Sequence, residues 1–152
     1  MVYYVPQKYF EQEEFVDPRT FAFCKKSGWA VWRLFRPQIL FAVYSLRERY
    51  KKAIRINNWH SGGKFTWRGF RTPDSPNYAI FSQHSMGAAI DFDVQAMTAE
   101  EVRADILTHQ NDTGIEYITA VEMSIAGKPI NWVHIDCCNY DKGTKGILQI
   151  KE

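Results

Sequence analysis

Ile130-Asn131-Trp132-Val133-His134-Ile135-Asp136-Cys137-Cys138 carries the clearest strand pattern in the chain. Apolar and polar residues alternate through it, which predicts a strand with Val133 and Ile135 on one face and Ile130, Trp132, His134 and Asp136 on the other. Immediately upstream runs a second β-rich stretch, Ile115 to Ile125, and Ala126-Gly127-Lys128-Pro129 joins the two as a hairpin. Working outward, Asp91-Phe92-Asp93-Val94 alternates too, with carboxylates on one face, and Ile54-Arg55-Ile56-Asn57 reads as another strand. Between the strands lie helix signals. Pro37 opens an amphipathic run through Leu40, Phe41, Val43, Tyr44 and Leu46 to Tyr50. Thr98 and Glu101 form a capping-box pattern before Val102, Ile106 and Leu107, and Asp17-Pro18 is a helix start. The expected fold is α+β, with helices packed on a small, mainly antiparallel sheet that carries a metal site.

The 152 residues suit one domain, long enough to bury roughly two-thirds of its unfolded surface. It is divided as an aromatic lead-in over 1–36, a core over 37–138 and a tail over 139–152. With 45% apolar and 24% charged residues the composition is globular. A formal charge of +2 does not favour nucleic acid or a membrane surface as partner. Five Trp and eight Tyr imply either a core of large side chains or a groove for an extended or saccharide-like ligand. Cys24, Cys137 and Cys138 write no disulfide framework. Reduced, buried thiols are expected, with soft metal ligation the alternative for the adjacent pair. Met1 to Pro6 has no basic start, apolar stretch or cleavage site, so synthesis without a secretory signal is expected, and no apolar run is long enough to span a bilayer. A monomer is expected.

Chemistry concentrates in Ser82-Gln83-His84-Ser85-Met86-Gly87-Ala88-Ala89-Ile90-Asp91 and in the hairpin strand with His134. Two imidazoles, one carboxylate and an open fourth position make the ligand count of a catalytic zinc site rather than a structural one. Gly87 permits a sharp turn between His84 and Asp91, and Ala88-Ala89 permit close packing. A single His is ordinarily a hydrogen-bonded buried residue; the joint pattern favours one bound ion on His84, Asp91 and His134. Cobalt or manganese would accept the same ligands.

Ser-x-His-x-x-Gly-x-Ala-x-Asp at 82–91, Trp-Val-His-Ile-Asp at 132–136 and Gly69-Phe70-Arg71-Thr72-Pro73 together resemble the zinc D-Ala-D-Ala carboxypeptidases and endolysin-type peptidases. That group also includes lysostaphin-type enzymes and the hedgehog signalling domain. The resemblance covers roughly residues 37–138, with the helix through Leu46-Arg47 and the strand Ile54 to Asn57 in the family's order. It implies His84, Asp91 and His134 as zinc ligands, and Arg71 as a substrate-positioning or carbonyl-polarising residue; otherwise Arg71 is a surface ion-pairing residue. The implied activity is hydrolysis of peptidoglycan stem peptides or cross-links at D-Ala-containing amides. Action on the wall after release, or as a phage component, would follow. The alternative is a metal-stabilised binding module without catalysis, as the hedgehog domain illustrates.

The sequence departs from the family at the general base. Relatives carry Glu or Asp three residues before the last His ligand, or His two before it; Asn131 and Trp132 stand there. Glu122 on the partner hairpin strand is the substitute. A three-residue turn, Gly127-Lys128-Pro129, would pair it opposite His134, whereas a two- or four-residue turn would send it to the other face. Asp136 is expected behind a ligand imidazole, and Asp93 beside Asp91's strand neighbours, unless both are simply solvated. Ser82 belongs to the ligand motif. His60 sits in the Gly/Pro/Ser-rich excursion from Asn58 to Pro76, either at a cleft wall or in loop packing. Trp132 and Trp67 either line a groove or pack.

Overall fold

The structure, a computed structural model, describes residues 8–138 and 141–152. The segment Met1 to Pro6, read above for a leader, lies outside the described residues. Helix α1 (Pro18–Lys26) starts as expected: the Asp17 carboxylate accepts from the amides of Arg19 and Thr20 at 2.9 and 3.1 Å, satisfying donors that a first helical turn leaves free. Helix α2 (Pro37–Tyr50) buries Ile39, Leu40, Ala42, Val43 and Leu46, and ends at Lys51 in a left-handed conformation.

Six strands form the sheet: β1 (Ile54–Arg55), β2 (Ala89–Val94), β3 (Ala120–Ile125), β4 (Lys128–Pro129), β5 (Val133–Asp136) and β6 (Leu148–Lys151), in the order β1-β2-β5-β3-β4. Every pairing is antiparallel except that of β6 with β3. The architecture is therefore α+β. Helix α3 (Ala99–Thr108) lies between β2 and β3 in the chain, opened by the Thr98–Glu101 capping box. A short α4 (Lys142–Lys145) precedes β6.

Alternation in β2 and β5 does what the pattern requires. Ile90, Phe92, Val94, Val133 and Ile135 enter the core with α2, Val102 and Ile106 of α3, and Val121 of β3. The lead-in belongs to this core rather than preceding it. Phe15 is fully buried, with Phe10, Trp32 and Phe35 at ring separations of 5.5, 5.0 and 5.5 Å in edge-to-face geometry. All three cysteines are free thiols.

Three expectations need correction. The β-rich reading from Ile115 is too long: Ile115–Tyr117 is a 3₁₀ turn and the strand begins at Ala120. The stretch read as a tail over 139–152 contributes a strand to the sheet: β6 closes the open side of β3 with a register of Ala120 to Leu148 and Glu122 to Ile150. The hairpin turn is also shorter than supposed. Ile125 faces Lys128, leaving Ala126 and Gly127 as a two-residue turn, both at positive φ (50° and 71°). That was the case expected to turn Glu122 away. It does not, because the register then advances by three residues: Ser124 faces Pro129 near the turn, while Val121 faces Ile135 at the base. Continuing the base register sets Glu122 opposite His134.

Candidate metal centre

His84 and Asp91 reach the site from opposite ends of one short segment. The chain between β1 and β2 is irregular over more than thirty residues, and backbone contacts rather than a ladder hold it. Phe70 N donates to Phe15 O at 2.9 Å, and Arg68 N to the Asn57 side chain at 2.9 Å. Gly87 turns the segment at φ 63°, with Leu34 O only 1.9 Å from where a Cβ would stand. A side chain there is excluded by both conformation and space. After that turn Ala89 enters β2 and Asp91 falls opposite His134 on β5.

The donor atoms converge. Nε2 of His84 is 3.3 Å from Nδ1 of His134 and 3.3 Å from Oδ2 of Asp91, while Nδ1 of His134 is 2.7 Å from Oδ1 of Asp91. Two donors bound at about 2.0–2.1 Å to a tetrahedral ion are themselves about 3.4 Å apart, so two of the three separations suit one ion as they stand. The third is a hydrogen bond between partners drawn together. These residues form the one group of three His, Cys, Asp or Glu side chains among the described residues able to hold a metal ion. The alternative ligands Cys137 and Cys138 do not belong to it; burial raises the Cys137 thiol far above its usual range, and its side chain packs on the core.

Each imidazole is oriented from behind. His84 Nδ1 lies 2.8 Å from Gly69 O, and a carbonyl can only accept, so the proton is on Nδ1 and the Nε2 lone pair faces the group. His134 has Asp136 Oδ2 3.7 Å from Nε2, an ion-pair distance, leaving Nδ1 toward Asp91. Asp136 is itself buried and accepts from Thr119 Oγ1 at 3.2 Å. Carboxylates behind metal-binding imidazoles act in this way, fixing tautomer and ring orientation.

Electrostatics split the pair. Burial pulls His84 below the usual imidazole range. Burial works in the same direction on His134, but the carboxylates of Asp136 and Asp91 outweigh it and push it up to about 10. Burial alone would raise Asp91; the two imidazoles outweigh it and hold the group ionised, well below the usual carboxylate range. Without an ion the site is thus one carboxylate between two imidazoles, His84 presenting its Nε2 lone pair and His134 donating from Nδ1 to Asp91; a bound ion would take the place of that His134 proton.

A cavity of about 630 Å³ opens over this group, lined among others by Arg71, Ser82, Glu122, Trp132 and Asp136. Arg71 is bound twice, Nη2 to Asp91 Oδ2 at 2.7 Å and Nε to Trp67 O at 2.8 Å, with only 16% of its side chain exposed. It is an inward residue, not a surface one. Glu122 is raised above the usual glutamate range, first by burial, with Asp91 adding to the effect. Ser82 accepts from His84 N at 3.3 Å and shapes the turn. For two residues the alternatives left open resolve away from the site, since neither His60 nor Asp93 lines the cavity. His60 stands on an exposed 3₁₀ turn beside Trp59, away from the cavity, because the loop folds back onto Phe65 instead. Asp93 serves no ligand; it is consumed by ion pairs with Arg55 at 2.9 Å and Arg68 at 2.6 Å.

Two contributors were not foreseen. Arg103 of α3 is buried and donates to the carbonyls of Trp132 at 3.0 Å and Ile130 at 3.2 Å. It therefore pins the three-residue bulge that brings Glu122 opposite His134. A signal existed: Arg103 sits three residues before Ile106 and one after Val102, on a helix face otherwise apolar. Ile150 of β6 and Glu152 just beyond it line the same cavity, and nothing local to them announces it. No protein-family model matches the chain, and neither the curated proteins nor the solved structures yield a match.

Proposed function

We propose that this chain is a zinc-dependent peptidase acting on peptidoglycan stem peptides or cross-links. The observation that carries the reading is the convergence of His84, Asp91 and His134 on one point, with Glu122 and Arg71 in the same cavity. Two imidazoles and one carboxylate, backed by Gly69 O and Asp136, suit zinc and leave a coordination place for solvent. Bound there, zinc lowers the pKa of a water toward about 7 and polarises a carbonyl. The protein's own groups do the rest. Glu122, partly desolvated and therefore more basic than an exposed glutamate, takes the proton of the attacking water and returns it to the departing amine. Arg71 places a guanidinium beside the carboxylate ligand, where it faces charge developing on the carbonyl oxygen. Asp136 and Gly69 keep the imidazoles from turning.

The alternative, a binding module without catalysis, drew its support from the missing acidic residue ahead of His134. The carboxylate of Glu122 in the cavity favours hydrolysis over it. The assignment to the wall, and any phage connection, rests on the motif resemblance; no described helix is long and apolar enough to cross a membrane. Purified cell walls supply the test, incubated with the protein as made, after chelation, and after zinc is restored. Clearing that disappears on chelation and returns with zinc is expected. Clearing that survives complete metal removal, or a zinc-loaded protein that releases no peptide from walls, overturns the reading.

A further inference from the structure

A second cavity of about 280 Å³ adjoins the first, and Arg71, Asn77, Asp91 and Trp132 line both. The ligand group therefore stands part-way along a trough rather than at its closed end. The two arms differ in chemistry. The larger is lined by the carboxylates of Glu122, Asp136 and Glu152 together with Ile125 and Ile150. The smaller is walled by the indoles of Trp67 and Trp132 and bears Lys64, Arg68 and Arg71.

The charges of the smaller arm are not equally available. Arg71 is held by Asp91, and Arg68 by Asp93 while it stacks 3.6 Å over the Phe65 ring. Lys64 is exposed, 5.5 Å over the same ring, and has no ion pair among the described residues. An exposed ammonium beside two flat apolar walls, at the rim of a concave site, recognises a carboxylate on a short peptide chain.

Resting on the peptidase reading, we propose that the substrate runs through both arms, with an acidic residue or terminal carboxylate lodged in the smaller arm between Trp67, Trp132 and Lys64. The bond cut then has substrate held on both sides: a side-chain carboxylate in the smaller arm is the arrangement of an endopeptidase, a terminal carboxylate there that of a carboxypeptidase. The acidic walls of the larger arm set the direction of the chain, since a second carboxylate there would meet like charge.

Binding can be read without turnover, so this proposal and the peptidase reading fail separately. The zinc-loaded, nitrogen-labelled protein is titrated with N-acetyl-Ala-Glu, with its C-terminal amide, and with N-acetyl-Ala-Gln amide. The indole N–H signals of Trp67 and Trp132, assigned through Trp67→Phe and Trp132→Phe, report the smaller arm. Saturable shifts of both indoles with the acidic peptides are expected, at least about tenfold tighter than with the neutral one, the increment of one charge pair at a partly desolvated site. Which of the two acidic groups suffices separates a side-chain from a terminal carboxylate. Lys64→Glu should abolish the preference for the acidic peptides. Equal titration by acidic and neutral peptides, an unaltered preference in Lys64→Glu, or shifts that bypass both indoles overturns the proposal.

Discussion

Gly69 and His84, fifteen residues apart, are joined by a hydrogen bond of 2.8 Å from the imidazole Nδ1 to the main-chain carbonyl. The bond fixes which nitrogen of His84 faces Asp91 and His134. Gly69 can reach this position only without a side chain, since a Cβ would lie 2.0 Å from Phe15 O. Backbone meets backbone there, and neither can yield cheaply.

Gly69→Ala should therefore damage the centre from behind. Overpacking of this kind costs about 1–3 kcal/mol, and displacement of the carbonyl frees the imidazole to rotate. Urea denaturation should show the loss of stability, and calorimetric titration with zinc an affinity lower by about 10–100-fold, the usual effect of removing an outer-shell partner. Wild-type zinc affinity in this variant would exclude the carbonyl from any orienting role.

Arg103→Met removes the donor that holds Ile130 O and Trp132 O. Each unpaired buried carbonyl costs about 1–3 kcal/mol, so a clear loss of stability is expected. Catalysis should fall further than the folded fraction explains, because the bulge no longer keeps Glu122 opposite His134. Arg103→Lys should recover part of both. Wall clearing by Arg103→Met that tracks the folded fraction alone would count against a role in setting register.

Glu122→Gln keeps shape and burial but removes the proton acceptor. Wall-clearing activity should drop by about 10²–10⁴-fold, the ordinary contribution of a general base, while bound zinc stays at one ion per chain by elemental analysis. Retained activity would move the base elsewhere and reopen the binding-module reading.

A fourth expectation concerns stability. Burial pushes the Glu14 carboxyl up to about 7 from an ordinary value of 4.5. Between those values the folded state holds the proton more firmly than the unfolded one, so this group makes stability fall as pH rises through the window. Above it the full cost of the buried charge remains. Glu14→Gln preserves an acceptor for Glu11 N, now 2.8 Å from the carboxylate, and should gain about 1–2 kcal/mol at pH 8 but nothing below pH 4.5. Denaturation curves at both pH values check the sign; an equal gain at both would trace the effect to packing instead.

The sequence by itself determined the elements whose causes are local. Pro18 after Asp17, Pro37 before an apolar stripe, and Thr98 three residues before Glu101 start the helices because caps and fixed φ act within one turn. Alternation in Asp91 to Val94 and Val133 to Asp136 assigned core and site faces because strand side chains repeat every two residues. The spacing around Gly87 and the pair at His134 and Asp136 made the ligand group legible for the same reason.

Tertiary structure alone decided what depends on distant partners. The turn at Ala126–Gly127 points to the wrong register for Glu122, and the bulge that corrects it is held by Arg103, reaching across from α3, and by the pairing of β5 with β2. The residues after Asp141 carry no motif, yet β6 finds its place through hydrogen bonds to β3, and so Ile150 and Glu152 become cavity wall. His60 and Asp93 looked eligible by residue type, but loop closure on Phe65 and the arginine pair Arg55 and Arg68 claimed them. Chemical potential is written in residue type; which groups meet is set by packing between segments far apart in the chain.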